Sequence, residues 1–152
     1  MPRSELITDI CKNVLQLNIE AALSREDEVN GKGITTPIPL EYFSREIDES
    51  MIVNYPACKI SYLRFSKVDD DIWRHYLNIE FYQVNSDQNE LEAQIKRIAS
   101  AAEYTLSRES NWGGYGYNPE VRDGFISGVL PVESGFLRAC RLQFNIDTIK
   151  GE

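Results

Sequence analysis

Residues 87–108, DQNELEAQIKRIASAAEYTLSR, carry the clearest helical pattern in the chain. Apolar side chains recur there every three or four residues, which places them on one face of an α-helix. Asp87 is expected to cap the amino terminus, and Glu90 follows it at the spacing of a capping box. Lys96 and Arg97 fall off the apolar stripe. The predicted buried stripe consists of Leu91, Ile95, Ile98, Ala99, Ala102 and Leu106.

Strand-like segments flank this helix in two pairs. Residues 57–65 and 73–84 alternate apolar and polar side chains across a polar turn, which predicts a first hairpin. Residues 121–132 and 136–149 predict a second hairpin. The expected fold class is α+β: an antiparallel sheet of two hairpins, with the central helix and an N-terminal helix packed on one side, plus a long extended arm.

The second hairpin has two further expected features. Gly124 and Gly128 interrupt its first strand and predict β-bulges. The closing strand is amphipathic, and we expect one of its faces to be solvated. That face comprises Arg141, Gln143, Asn145 and Asp147, whereas the core face comprises Phe136, Cys140, Leu142, Phe144 and Ile146.

The N-terminal helix is predicted from residue 4 to Leu23, with Ser4 as its cap. A narrow apolar seam should pack on the same domain or on a neighbouring subunit. The seam consists of Ile7, Ile10, Val14, Leu17 and Ala21.

The arm, residues 25–56, has no sustained period and contains seven acidic against three basic residues, a net charge of −4. Loops longer than about 15 residues are uncommon inside compact domains. Its apolar residues Ile38, Leu40, Tyr42 and Phe43 are therefore predicted to contact a neighbouring subunit. The alternative is an arm folded back onto its own sheet.

Composition restricts the possible classes of function. The chain has 152 residues, of which 42% are hydrophobic, and residues 1–152 are expected to form one domain. The net charge of −8 argues against a protein that grips nucleic acid. No apolar run approaches the roughly 20 residues that span a bilayer, so no membrane contact is expected. Cys11, Cys58 and Cys140 are predicted to be buried free thiols in a reducing compartment.

Motifs that would support catalysis are missing. His75 is the only histidine and alternates with core residues, so a structural role is predicted. The acidic run 69–71 lacks the spacing of a calcium loop and is expected to be a solvated hairpin tip. The glycine-rich loop 110–119 lacks the Lys-Ser/Thr of a phosphate loop and should pack or touch a partner. We therefore predict no enzyme, no catalytic residue, no cofactor and no metal.

The layout of the chain resembles the tail-terminator and head–tail-joining (neck) proteins of long-tailed bacteriophages. The stretches that carry this resemblance are TPIPLEYF (36–43), YPACKISYL (55–63), HYLNIEFYQV (75–84), DQNELEAQI (87–95) and SGFLRACRLQFNI (134–146).

This resemblance implies a viral structural protein that assembles as a homo-oligomeric ring, commonly a hexamer. Such a ring caps the tail tube protein, presents a surface to the head connector or neck protein, and lets DNA pass its lumen without specific binding. The implied location is the virion, after synthesis in the host cytoplasm. Two alternatives remain: another neck or tail-completion protein of the same virion class, and a small-molecule-binding α+β accessory domain with a pocket between helix and sheet.

Overall fold

The computed structural model describes residues 4–149, with side chains from residue 6 onward. Short 3₁₀ helices at Glu49–Met51 and Glu109–Trp112 join some of the main elements. In chain order these elements are α1 (Ser4–Asn30), β1 (Glu41–Phe43), β2 (Ala57–Lys67), β3 (Ile72–Asn85), α2 (Gln88–Ser107), β4 (Tyr117–Ile126), β5 (Leu130–Val132) and β6 (Gly135–Ile149).

The strands form one sheet in the order β1-β2-β3-β6-β4, and β5 continues the β4 edge by pairing with β6. The two predicted hairpins are confirmed, because β2 pairs with β3, and β4 and β5 pair with β6. The hairpins are joined by β3 and β6, which pair from Ile72–Ile149 to Asn85–Phe136. The arm adds a further strand at one edge of this antiparallel sheet. There, β1 pairs with β2 in parallel, because residues 44–56 of the arm form a crossover connection between them.

Helix α2 agrees with its sequence pattern. Asp87 Oδ1 accepts hydrogen bonds from the backbone N–H of Asn89 at 2.9 Å and of Glu90 at 3.2 Å. The reciprocal bond of a capping box is replaced, because the N–H of Asp87 donates to Asn85 Oδ1 at 2.9 Å. Every residue of the predicted stripe is buried except Ala99, which is half-buried.

Helix α1 ends at Asn30, beyond the predicted end at Leu23. Residues 25–30, which were assigned to the arm, are therefore helical. The helix stops where Gly31 adopts a φ of 64° and donates its N–H to Asp27 O at 2.9 Å, as in a left-handed C-cap. The cap predicted at Ser4 lies outside the side chains that the structure describes.

The predicted seam on α1 is wrong in its second half. Leu17 is 82% exposed, and Ala21 is exposed as well. A strict alternation of three and four residues keeps a period of 3.5, which drifts by about 20° per heptad around a straight helix. The buried face of α1 follows the 3.6 period and comprises Ile7, Cys11, Val14, Leu15, Ile19, Ala22 and Leu23.

Both helices pack on one face of the sheet and enclose the main core. Leu77, Ile79 and Phe81 of β3 are fully buried there, and so are the free thiols of all three cysteines. Burial raises the pKa of Cys140 to about 12. The structure has no helix, within residues 4–149, that is long and apolar enough to cross a membrane.

The glycine-rich loop packs against this core. Trp112 stacks on Phe144 with ring centroids 5.4 Å apart, and its Nε1 donates to Leu106 O at 3.0 Å. A side chain at Gly116 would collide with Ile146. Gly116 therefore permits close packing, which agrees with the prediction of a packed loop.

The bulges predicted at Gly124 and Gly128 are misplaced. The register of β4 shifts before these glycines, between residues 117 and 120 and between residues 121 and 123. Gly124 itself pairs with Leu142, and a Cβ there would lie 3.3 Å from Leu142 Cδ2. This glycine thus allows close approach of a side chain. Gly128 lies in the break between β4 and β5.

The sheet face that points away from the helices, hereafter the second face, is not fully solvated as predicted. Asn145 is 3% exposed, and Asp147 and Glu80 are buried as well. Strand alternation alone predicts which residues share this face. It does not reveal that the arm lies over the end that holds Glu80, or that Arg74 pairs with Asp147 at the other end.

Candidate functional site

The start of the arm is fastened to both helices by a buried arginine. The side chain of Arg97, 4% exposed, bonds Asp27 Oδ1 at 3.0 Å, Ile34 O at 2.8 Å and Gly31 O at 2.9 Å. Thr36 donates its N–H to Asp27 Oδ2 at 2.8 Å and its hydroxyl to Oδ1 at 2.6 Å. Burial alone would raise the pKa of Asp27, but the bonds from Thr36 and Arg97 hold it below the usual value.

Sequence reasoning missed this anchor, because Arg97 was expected off the buried stripe. The row it belongs to, beside the stripe, is buried throughout and consists of Gln94, Arg97, Ala101 and Thr105. Three of these residues are polar, so hydrophobic periodicity gives no signal that the row is buried.

The next part of the arm holds two apolar side chains in solvent. Ile38 is 42% exposed and Leu40 is 63% exposed, and we call this pair the ridge. Pro39 between them is buried, and the N–H of Leu40 donates to Pro56 O at 2.7 Å. With Thr36 bound on the other side, the ridge is held at both ends.

The other two predicted interface residues have a different environment. Tyr42 is half-buried and packs against the main core, and Phe43 packs against a smaller apolar cluster on the second face. Burial raises the pKa of Tyr42. The structure thus brings all four predicted residues onto one short segment, but only Ile38 and Leu40 are largely exposed.

The remainder of the arm covers one end of the second face. Ile47, Ile52 and Tyr55 pack there in the smaller apolar cluster with Tyr82. Acidic arm residues also neutralise this end of the sheet. Lys59 Nζ, on a buried side chain, lies 3.1 Å from Glu46 Oε1.

Two carboxylates thus meet this buried lysine, because Lys59 Nζ also lies 3.6 Å from Glu80 Oε1. Hydrogen bonds from Ser61 and Lys59 hold the pKa of Glu46 below its usual range. The Tyr82 hydroxyl lies 2.9 Å from Glu80 Oε2 and 3.1 Å from Glu49 Oε1. Basic and polar groups of the second face are therefore satisfied by an acidic segment laid over them.

A groove of about 350 Å³ lies on the second face beside the arm. Glu49 of the arm forms one side, and the edge formed by β4 and β5 forms the other. Arg141 Nη2 lies 3.5 Å from Glu80 Oε2 within it. The apolar lining consists of Phe125, Ile126, Leu130, Leu137 and Ala139.

The other end of the second face is open and basic. Arg74 pairs with the buried Asp147, with Nε to Oδ1 at 2.7 Å and Nη2 to Oδ2 at 3.0 Å. Two exposed arginines lie near the ring of Tyr76: the Cζ of Arg64 at 3.8 Å and that of Arg122 at 4.8 Å from its centroid. A hydrogen bond with Ser66 and the charges of Arg64 and Arg74 lower the pKa of Tyr76.

His75 is enclosed in the core, as its alternation predicted. Its Nδ1 lies 2.6 Å from the Tyr62 hydroxyl, and its Nε2 lies 2.7 Å from Thr148 Oγ1. Burial lowers its pKa, and the charge of Asp147 opposes that effect only in part. The imidazole is thus placed to bridge two strands as a neutral hydrogen-bonding group.

This burial predicts a pH dependence of stability. The folded pKa of His75 lies below its ordinary value of 6.5, so the unfolded chain binds more protons. The free energy of unfolding should therefore fall as the pH drops below about 6.5. Urea titrations at several pH values should show this slope, and His75→Gln should remove it while leaving assembly intact. An unchanged slope in that variant would contradict the assignment.

The acidic turn is exposed at the β2–β3 tip. Asp71 donates its N–H to Asp69 Oδ1 at 2.8 Å, and Lys67 Nζ lies 3.1 Å from Asp70 Oδ1. In the described part of the chain, no group of three or more His, Cys, Asp or Glu side chains is arranged to hold a metal ion.

Sequence comparisons identify no family for this chain, whereas its fold resembles solved structures. No protein-family model matches the sequence, and no curated protein does. A solved chain from the "Virion of native gene transfer agent (GTA) particle" aligns over 88% of this chain and 93% of its own length. The two chains are 13% identical in sequence, and their structures superpose with a TM-score of 0.42. This similarity is too low to indicate a function.

Proposed function

We propose that this chain is a structural protein of a virion, and more specifically a tail terminator. In this proposal, copies form a ring at the head-proximal end of a phage tail tube, join it to the head connector and let DNA pass. The resemblance in sequence layout supplies the class of protein. The structural neighbour also comes from a virion, but the proposal does not rest on it.

The observation that carries the proposal is the anchored ridge. Ile38 and Leu40 stay exposed although Thr36, Pro39 and the N–H of Leu40 are all fixed to the body. Large apolar groups held in water mark interaction surfaces. Because the ridge is ordered before any partner binds, docking it loses little conformational entropy.

The position of the ridge favours a closed ring. It leads into β1 at one edge of the sheet, whereas Phe125 and Leu130, which are 51% and 57% exposed, lie on strands at the opposite edge. A contact between two different surfaces of identical subunits is heterologous, and such contacts form rings when the rotation closes. The net charge of −8 suits a lumen that repels phosphate and so lets DNA slide.

The test is a double variant, Ile38→Ser with Leu40→Ser. Both side chains are exposed, so the variant should keep the circular dichroism spectrum and thermal midpoint of the parent chain. We expect it to lose rings on tail tubes of the cognate phage, as seen by electron microscopy and native mass spectrometry. Leu17→Ser is the matched control, because Leu17 is exposed on α1, away from the ridge.

Three outcomes decide this test. Loss of rings in the double variant alone supports the proposal. Normal rings in the double variant contradict it, and collapse of the monomer would show that the ridge belongs to the core. Phe43→Ser is a poorer choice, since Phe43 packs in the smaller cluster and its loss should disturb folding.

The groove keeps a second candidate function open. Its volume of about 350 Å³ and its apolar lining with Glu80 and Arg141 at one side suit a small ligand. It lies on the second face, whereas a small-molecule pocket was expected between helix and sheet. Saturable binding of an apolar fluorescent anion, abolished by Ala139→Trp, would identify a ligand site there. The remaining alternative is another neck or tail-completion protein. Such a protein would bind the connector without binding tail tubes, whereas a tail terminator binds tail tubes.

A further inference from the structure

The two ends of the second face differ in how their basic residues are neutralised. At the covered end, the acidic arm supplies Glu46 to Lys59, and Glu80 lies within 4 Å of both Lys59 and Arg141. At the open end, Asp147 neutralises Arg74. Among the side chains of residues 6–149, no carboxylate forms an ion pair with Arg64 or Arg122, the arginines on this end of the face that stay unpaired.

These two arginines converge from distant strands. Arg64 lies on β2 and Arg122 on β4, and both β3 and β6 lie between those strands. Both guanidinium groups nevertheless lie close to Tyr76, at 3.8 Å and 4.8 Å from its ring centroid. Two cations gathered around one ring attract an anion, because its charge would offset theirs. The aromatic ring holds the guanidinium planes in place through cation–π contacts.

We propose that the cluster of Arg64, Tyr76 and Arg122 binds an acidic peptide segment from another protein chain, whose carboxylates take the place that Glu46 of the arm fills at the covered end. Arginine presents a planar fork that matches a carboxylate with two parallel hydrogen bonds. This inference does not depend on the proposed role in a tail, because it concerns a surface remote from the ridge.

The exposed charges around Arg122 favour a short peptide over a nucleic acid duplex. Glu120 and Asp123 are exposed on β4 beside Arg122. A duplex presents a continuous line of phosphates that would meet those carboxylates. A short acidic segment can instead place its carboxylates on the two arginines alone.

The experiment measures binding of a fluorescein-labelled all-glutamate peptide to the full chain by anisotropy. Salt is held at about 150 mM, where the Debye length is about 8 Å and only charges near the peptide act on it. Arg64→Gln with Arg122→Gln should weaken binding about tenfold or more, since charge-assisted bonds contribute most of the contact. The amide NMR signals of residues 64, 76 and 122 should shift when the peptide is added to the parent chain.

The chain offers a matched control in a second arginine pair. Arg25 and Arg108 are exposed, and their Cζ atoms lie 5.7 Å and 5.0 Å from the ring centroid of Tyr104. Arg25→Gln with Arg108→Gln removes the same charge and should change the affinity by less than about twofold, because distant exposed charges are screened.

Four results would overturn the proposal: equal loss of binding in both double variants, no binding by the parent chain, NMR shifts away from the cluster, or tighter binding of a duplex oligonucleotide than of the peptide. If the glutamine variant fails to fold, the NMR shifts in the parent chain still locate the site.

Discussion

Replacing Ile98 with alanine is expected to lower the free energy of unfolding by about 2–5 kcal/mol, the usual range for deleting a large aliphatic group from a core. Ile98 is fully buried on the stripe of α2, in the core that both helices form with the sheet. The truncation removes apolar contacts and leaves a cavity that rigid neighbours cannot close. Ile95→Ala should behave alike, because Ile95 is equally buried.

Urea denaturation followed by circular dichroism measures this loss, provided that unfolding is two-state. Glu103→Ala on the exposed side of the same helix is the control and should change stability by no more than about 0.5 kcal/mol. A loss below about 1 kcal/mol for Ile98→Ala would mean that α2 does not cover the core as described.

The contrast between the helices shows what a local pattern can predict. The stripe of α2 is apolar on one side and charged on the other, so its burial and its Asp87 cap follow from sequence. On α1, apolar residues occur around more of the helix, and Leu17 fits a seam as well as Leu15 does. Leu15 is buried and Leu17 is exposed, because the positions of the sheet and of α2 determine which face of α1 is covered. A local sequence pattern does not contain this tertiary information.

The second face and the arm also show how far sequence periodicity can predict the candidate site. Periodicity predicts that Glu80, Arg141 and Asn145 share a face. It does not predict that the arm lays Glu46 over Lys59, since those partners are related only by the path of an irregular segment. The arm's exposure pattern is similar, because local sequence gives no means to separate exposed Leu40 from half-buried Phe43.

Replacing Arg97 with methionine is expected to cost about 2 kcal/mol or more, because it removes the cation that faces half-buried Asp27 and leaves hydrogen-bonding groups without a donor. Arg97 also bonds the carbonyl oxygens of Gly31 and Ile34, which would lose their donor. Lys96→Met is the control, because Lys96 is the next residue, is exposed and forms its ion pair with Glu92. This substitution should change the free energy of unfolding by less than about 0.5 kcal/mol. Equal stability of the two variants would contradict an anchoring role.

The same variant tests whether a fixed ridge is what assembly requires. Without Arg97, Asp27 keeps only Thr36 as partner, so the amide of Thr36 should exchange its hydrogen faster. The amide of Leu40 should stay protected, because its acceptor is Pro56 O on the other side of the ridge. If docking depends on the ridge being ordered beforehand, Arg97→Met should weaken ring formation on tail tubes even at a temperature where the monomer is fully folded. Rings that form normally while Thr36 exchanges freely would show that the ridge can order on contact, and the entropic part of the proposal would then be wrong.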